Sequence, residues 1–151
     1  MTELTAARDD AIGPQTAALI AACAAEQAQI YPPEHSHGFS PEALRGARSA
    51  VVVAYRGDRA LGCGALTPFE GYGELKRLYV VPSARGTGVF EAVIDGLVQA
   101  AASLGLDQLY LETGIRSPAA LRAYEKVGFS RCGPFGAYRE DGSSVFMERR
   151  L

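Results

Sequence analysis

At 151 residues, with 48% hydrophobic and 21% charged residues, the chain has the length and composition of one globular domain able to bury a sizeable core. A net charge of -2 gives no electrostatic pull toward nucleic acid or an anionic membrane, so neither is expected as a partner. No run approaches the ~20 apolar residues of a membrane span, and Asp9 and Asp10 stand before the alanine-rich stretch Ala17–Ala28 where a signal peptide would carry basic residues.

In chain order, Glu3–Ala7 reads as a short strand and Pro14–Ile30 as a helix, with Pro14 at a first helical position and Leu19, Ile20, Cys23 and Ile30 near helical spacing. Pro32 and Pro33 stop it, and Ser40 is placed to cap a second helix, Pro41–Ala47. Strands Ala50–Tyr55 and Ala60–Thr67 flank the hairpin signal Arg56-Gly57-Asp58-Arg59. Glu74–Val81, rich in β-branched and aromatic residues, ends at Pro82. After the loop Pro82–Gly88, Val89, Val93, Leu97 and Ala101 mark a long helix to Leu104, closed by Gly105. A buried strand Leu106–Glu112, a helix Pro118–Val127 and strands Phe129–Cys132 and Ser144–Arg149 follow, with Asp141-Gly142 as the last turn signal. No repeat or linker divides residues 1–151, which predicts a single domain of α/β class (α+β), a mixed sheet flanked by helices. The three cysteines, Cys23, Cys63 and Cys132, are widely spaced and form no Cys-x-x-Cys pair. They point to a reducing, cytoplasmic setting and away from a disulfide framework or a metal site.

The most informative segment is Val80-Val81-Pro82-Ser83-Ala84-Arg85-Gly86-Thr87-Gly88-Val89. A glycine-rich turn from a strand into a helix presents free backbone N–H groups where an anionic pyrophosphate is stabilised, and Arg85 adds a charge-assisted contact. Gly-x-Gly also occurs at Gly62/Gly64 and Gly71/Gly73, so the pair alone carries little. Only Gly86/Gly88 lies between a buried strand and a long apolar helix. From the residues alone, phosphate binding and a plain structural turn stand level. Rossmann dinucleotide binding is disfavoured, because no third glycine or alanine stands at Glu91 and the βαβ alternation is absent.

Leu78-Tyr79-Val80-x-Pro82-x-x-Arg85-Gly86-x-Gly88-Val89 resembles the acetyl-CoA signature of the GNAT superfamily of N-acyltransferases. Ala120-x-x-x-Tyr124-Glu125-Lys126-x-Gly128-Phe129 is similar to the tyrosine-bearing helix and following strand of the same superfamily. The resemblance implies a mostly antiparallel central sheet and acetyl-CoA as co-substrate. The two histidines, His35 and His37, have no cysteine close in sequence, so no metal is expected. It places the cofactor on Leu78, Tyr79, Val80, Arg85, Gly86, Thr87, Gly88, Val89, Phe90 and Ser117. Phe90 departs from the usual glycine or alanine, either turning into the core or crowding the cofactor. Ser117 stands where asparagine is common and reaches less far as a donor.

Acyl transfer to an amine makes demands that these residues can be matched to. Freeing the lone pair of an ammonium at neutral pH costs about 4.6 kcal/mol, which a carboxylate base assists. The resemblance places the base at Glu74, with Glu112 at the end of the next strand as second choice. It places the leaving-group acid at Tyr124, whose bland alternative is a core aromatic. Strand alternation puts Glu74, Lys76 and Leu78 on one face and Leu75, Arg77 and Tyr79 on the other. Lys76 is therefore either a ligand for an acceptor carboxylate or an exposed strand lysine. Tyr31, Glu34 and His37 lie in a loop that shapes the acceptor pocket in GNAT folds, and Phe135 and Tyr138 are either pocket walls or packing residues. The leading expectation is N-acetylation of a small-molecule amine. An acyl-CoA-binding regulatory or weakly active module and a protein N-acetyltransferase are the alternatives. The acceptor and the oligomeric state, a homodimer included, stay open.

Overall fold

A valine-rich run, Ala50–Arg56 (β2), forms a deeply buried strand of a computed structural model that describes residues 3–30 and 49–151. Val51, Val52 and Val53 have at most 1% of their surface exposed, because helices cover both faces of the sheet. Around β2 lie β1 (Leu4–Arg8), α1 (Pro14–Ile30), β3 (Arg59–Phe69) and β4 (Tyr72–Val80). Then come α2 (Val89–Ser103), β5 (Gln108–Gly114), α3 (Pro118–Lys126), β6 (Ser130–Cys132) and β7 (Ser144–Arg150). Among the described residues these seven strands form one sheet in the order β1-β2-β3-β4-β5-β7-β6. β4 and β5 are parallel and the other pairs antiparallel. The expected mixed, mostly antiparallel sheet is therefore present.

α2 and α3 cover one face. Val89, Val93, Ile94 and Leu97 of α2 and Leu121 and Tyr124 of α3 pack with Val52, Leu66, Leu75, Leu109, Leu111 and Met147 from the sheet. α1 covers part of the other face, where Leu19 and Ile20 meet Val51, Val53, Cys63 and Ala65. The start of α1 is tied down by side chains. Asp9 accepts hydrogen bonds from the Gly13 N–H (3.0 Å) and the Thr16 hydroxyl (2.5 Å), and the Gln15 side chain bonds the Ala60 N–H and the Asp58 carbonyl in the β2–β3 turn. Gly105 (φ 74) ends α2, with Leu106 N–H reaching the Ala101 carbonyl at 2.9 Å, the glycine-closed helix end anticipated above.

Several boundaries move. β1 begins and ends one residue later than expected, and β5 two later. β4 begins at Tyr72, because Gly71 (φ 85) makes a tight turn out of β3 that the sequence reading left unassigned. The helix expected over Pro41–Ala47 lies outside the described residues. The larger correction concerns β4. Cys63 pairs with Tyr79 but Ala65 with Lys76, so β4 holds one extra residue there, and Arg77 takes φ 56. Such a bulge inverts the alternation beyond it. Leu78 consequently joins Leu75 and Val80 on the α2 face, and Tyr79 packs toward α1. Glu74 and Lys76 no longer share a face with Leu78.

Leu97 is fully buried between α2 and the sheet. Leu97→Ala should cost about 2–5 kcal/mol, read in urea unfolding as a lower midpoint at unchanged slope.

Candidate active site

Strand β4 runs straight into the glycine turn. A 3-10 turn at Pro82–Ala84 follows it, then Arg85, then Gly86 (φ 77) and Gly88 (φ 93) in left-handed conformations. A Cβ on Gly86 would meet nothing within 4 Å, and one on Gly88 only Leu4 Cδ2 at 3.8 Å. Backbone conformation, rather than space, is what demands glycine at both. The Ala92 N–H donates to the Gly88 carbonyl at 3.1 Å, so the N–H groups of Val89, Phe90 and Glu91 precede the first helical bond and open outward at the positive end of a 15-residue helix. This geometry forms a cradle suited to an anion.

The side chains around the cradle are already engaged. Arg85 donates through Nε to the Val80 carbonyl (2.9 Å), pairs with Glu26 of α1 at 2.8 Å, and lies 5.6 Å from the Tyr79 ring centre. The Thr87 hydroxyl donates to the Ala84 carbonyl. Phe90 is half-buried and packs edge-on against Tyr124, ring centres 5.6 Å apart. Its ring thus turns inward, the first of the two placements considered for it. Ser117 caps α3 without a side-chain capping bond, its N–H reaching the Gly114 carbonyl at 3.3 Å.

Beyond the cradle the parallel strands part. β4 and β5 pair at Gly73/Leu109, Glu74/Tyr110 and Leu75/Leu111 and no further, so Lys76–Val80 stays on β3 alone while Glu112–Gly114 stays on β7. The bulge sits in this unpaired stretch. Two thiols face its carbonyls: Cys63 Sγ lies 3.5 Å from the Arg77 oxygen and Cys23 Sγ, from α1, 3.9 Å from the Leu78 oxygen. Tyr124 approaches the gap from α3. Its ring belongs to the α2-side core. Burial first, and the nearby Cys23 and Glu112 groups next, push the Tyr124 phenol well above its usual range.

Glu74 sits at the last paired rungs and is 4% exposed. Its Oε2 accepts a hydrogen bond from the Tyr138 hydroxyl at 2.5 Å and lies 3.1 Å from Lys76 Nζ, which itself donates to Tyr138 Oη at 3.0 Å. Tyr138 is held by ring contacts to Phe135 (4.9 Å) and Phe146 (5.6 Å), and Phe135 stacks on Tyr110 at 4.9 Å. Glu112, half-buried, accepts from the Ser144 hydroxyl at 2.5 Å.

Most of the residues singled out from the sequence thus fall along the β4–β5 parting and its two ends. Tyr31, Glu34 and His37 lie outside the described residues. Sequence reasoning missed the Tyr138–Glu74 bond, which spans 64 positions, the Ser144–Glu112 bond and the thiols facing the bulge. Local pattern carries no signal for any of them.

The profile of the Acetyltransferase (GNAT) family matches residues 17–129. The chain belongs to the GNAT acetyltransferase family. An IAA acetyltransferase of Azospirillum brasilense is 34% identical over 153 aligned residues, spanning all of both chains. A Klebsiella pneumoniae protein described as an acyl-CoA N-acyltransferase has a crystal structure similar at TM-score 0.81, with 31% identity over 98% of this chain and 97% of that one. The PaiA N-acetyltransferase of Thermoplasma acidophilum, solved with coenzyme A, shares the fold at TM-score 0.77 and 18% identity, over 99% of each chain. As a GNAT protein the chain is an acyltransferase.

Burial pushes the Cys63 thiol up to about 12 and raises Cys23 as well. Raised values keep both thiols protonated and unreactive at mildly alkaline pH. Burial raises the Cys132 thiol too, but Cys132 is only half-buried while Cys23 and Cys63 are buried. A colorimetric thiol reagent should therefore label Cys132 first, with Cys23 and Cys63 reacting only after unfolding.

Proposed function

We propose that residues 1–151 act as one GNAT unit that moves an acetyl group from acetyl-CoA to the primary amine of a small molecule by direct attack, with Glu74 as base and Tyr124 as acid. The observation that carries this is the arrangement along β4, with an anion cradle at one end and a buried carboxylate at the other. Glu74 and Val80 are six residues apart, roughly 20 Å of strand. That reach suits a pyrophosphate on the N–H groups of Gly86–Glu91 and an extended pantetheine arm lying along Leu78, Tyr79 and Val80. Nothing at the cradle opposes that fit: its glycines are exposed and Phe90 turns toward Tyr124. The inward Phe90 also weakens the case for a module that binds acyl-CoA without turning it over.

Acetyl-CoA supplies the acetyl group as a thioester. Glu74 takes a proton from the acceptor ammonium and frees its lone pair. Tyr124 serves the sulfur. Its raised pKa keeps the phenol proton in place at working pH, but makes complete transfer to a thiolate, with a reference pKa near 8.5, strongly uphill. Tyr124 therefore contributes mainly as a hydrogen-bond donor while charge develops on sulfur. Glu112, held by Ser144, is the reserve candidate for base. The acceptor side would be walled by Phe135 and Tyr138. Lys76 is engaged by Glu74 and Tyr138, so its role is tied to the carboxylate rather than reserved for an acceptor carboxylate. A setting among cytoplasmic metabolites suits three free thiols.

Calorimetry should register acetyl-CoA binding, and no heat at millimolar cofactor would sink the proposal. Thiol release across a panel of small amines, with IAA added because it stands in the name of a relative, should then find the acceptor. Tyr124→Phe should lower kcat on the order of a hundredfold, within the usual span for an acid–base group, at unchanged acetyl-CoA affinity. Equal turnover would remove Tyr124 from the mechanism.

A further inference from the structure

We infer that Tyr138 is a positioning residue that, together with Lys76, fixes which oxygen of Glu74 receives the proton of the acceptor amine; the inference rests on the proposed reading of Glu74 as base. Three side chains close a triangle. Tyr138 Oη donates to Glu74 Oε2 at 2.5 Å, Lys76 Nζ approaches that same Oε2 at 3.1 Å, and Lys76 donates to Tyr138 Oη at 3.0 Å. Both donors therefore converge on one carboxylate oxygen. Among the described residues Oε1 has no hydrogen-bond partner, although Glu74 is 4% exposed. A buried carboxylate oxygen without a donor is costly, and an ammonium N–H, or a water bridging to it, supplies what is missing.

The arrangement is rigid where it has to be. Tyr138 arrives from the segment between β6 and β7, which Phe135 anchors by stacking on Tyr110 and by its edge contact with Phe146 at 5.9 Å. Gly136 takes φ 56, and a Cβ there would come within 2.8 Å of the Tyr72 hydroxyl, so the segment lies flat on the sheet. Lys76 and Tyr72 on β4, Tyr110 and Glu112 on β5 and Tyr138 itself are the ionisable groups that face Glu74 from these elements. Burial and the Glu74 carboxylate push the Tyr138 phenol far upward, so it remains a donor.

In the reaction, an N–H of the ammonium passes its proton to Oε1, and the freed nitrogen pair forms the bond to the acetyl carbonyl carbon. The carbon–sulfur bond breaks with its electron pair on sulfur, where the Tyr124 phenol donates a hydrogen bond. The nitrogen, cationic once bonded to carbon, gives its second proton to water, and the thiolate leaves and takes a proton from water. Tyr138 and Lys76 give up no proton. They hold Oε2 so that Oε1 faces the acceptor.

Kinetics of Glu74→Gln, Tyr138→Phe, Lys76→Met and Lys76→Arg across pH, with the acceptor found in the amine panel, test this. Acetyl-CoA affinity serves as the check of folding. Glu74→Gln should abolish turnover. Tyr138→Phe should keep acetyl-CoA affinity, lower kcat about tenfold and move the acidic limb of kcat/KM to higher pH, because a carboxylate that loses a donor is more easily protonated. Lys76→Met should move the limb the same way, and Lys76→Arg should restore it. Tyr138→Phe with wild-type kcat and limb would overturn the inference, even with a lower Tm, while leaving Glu74 as base. Turnover retained in Glu74→Gln would overturn the base and the inference together.

Discussion

Hydrogen bonding between β4 and β5 stops at Leu75 and Leu111, and the proposed chemistry depends on that stop. A continuous parallel sheet would pair the backbone of Lys76–Val80 on both sides and leave a ligand nothing to bond. Parting the strands exposes polar backbone that must find partners. β3 and the thiols of Cys23 and Cys63 meet part of that need, and an extended amide-bearing chain could meet the rest. In the proposed mechanism the gap also lets a residue of the α2–α3 layer act on the opposite face. Tyr124 belongs to the core by packing, and burial above all raises its phenol, with Glu112 among the nearby groups that add to the shift.

The bulge at Arg77 sharpens this. A non-glycine residue at φ 56 is uncommon and of the kind that collects at functional positions. Here it does two things at once. It swings Leu78 onto the α2 side, where its Cδ2 would come within 2.9 Å of a Cβ on Gly64, so Gly64 must stay small. It also lets Glu74 and Lys76 keep the opposite face while the strand continues to the glycine turn with Val80 in the core. Register before the bulge serves the carboxylate; register after it serves the cradle.

How much of this was legible in the sequence differs from element to element. α2 could be read from Val89, Val93, Leu97 and Gly105, because helical period and a glycine stop are local signals. The glycine turn could be located for the same reason, and its two left-handed residues are the ones the signature prescribes. The bulge could not, since Lys76-Arg77-Leu78 shows no glycine and no break in alternation; the extra residue appears only through its pairing with Cys63 and Ala65. β5 was placed two residues early because Leu106 reads as strand but packs as the residue after a helix-ending glycine. Tyr138 was named among the acceptor-side residues from its glycine-flanked loop, but its partner, 64 positions away, is set by tertiary packing alone.

Burying Glu74, Lys76 and Tyr138 together makes sense only as a unit. A lone carboxylate or ammonium at that depth would pay heavy desolvation, and an ion pair often does no better than apolar residues of the same volume. The nearby aromatic cluster of Tyr72, Tyr110, Phe135 and Phe146 shows that this face could have been filled with rings. A charged triangle set into such a surface is therefore hard to explain as a device for stability. Among the described residues its geometry also leaves one carboxylate oxygen of Glu74 unserved, which a purely structural network would be expected to satisfy. That imbalance argues that the cluster is shaped for a donor arriving from outside the chain.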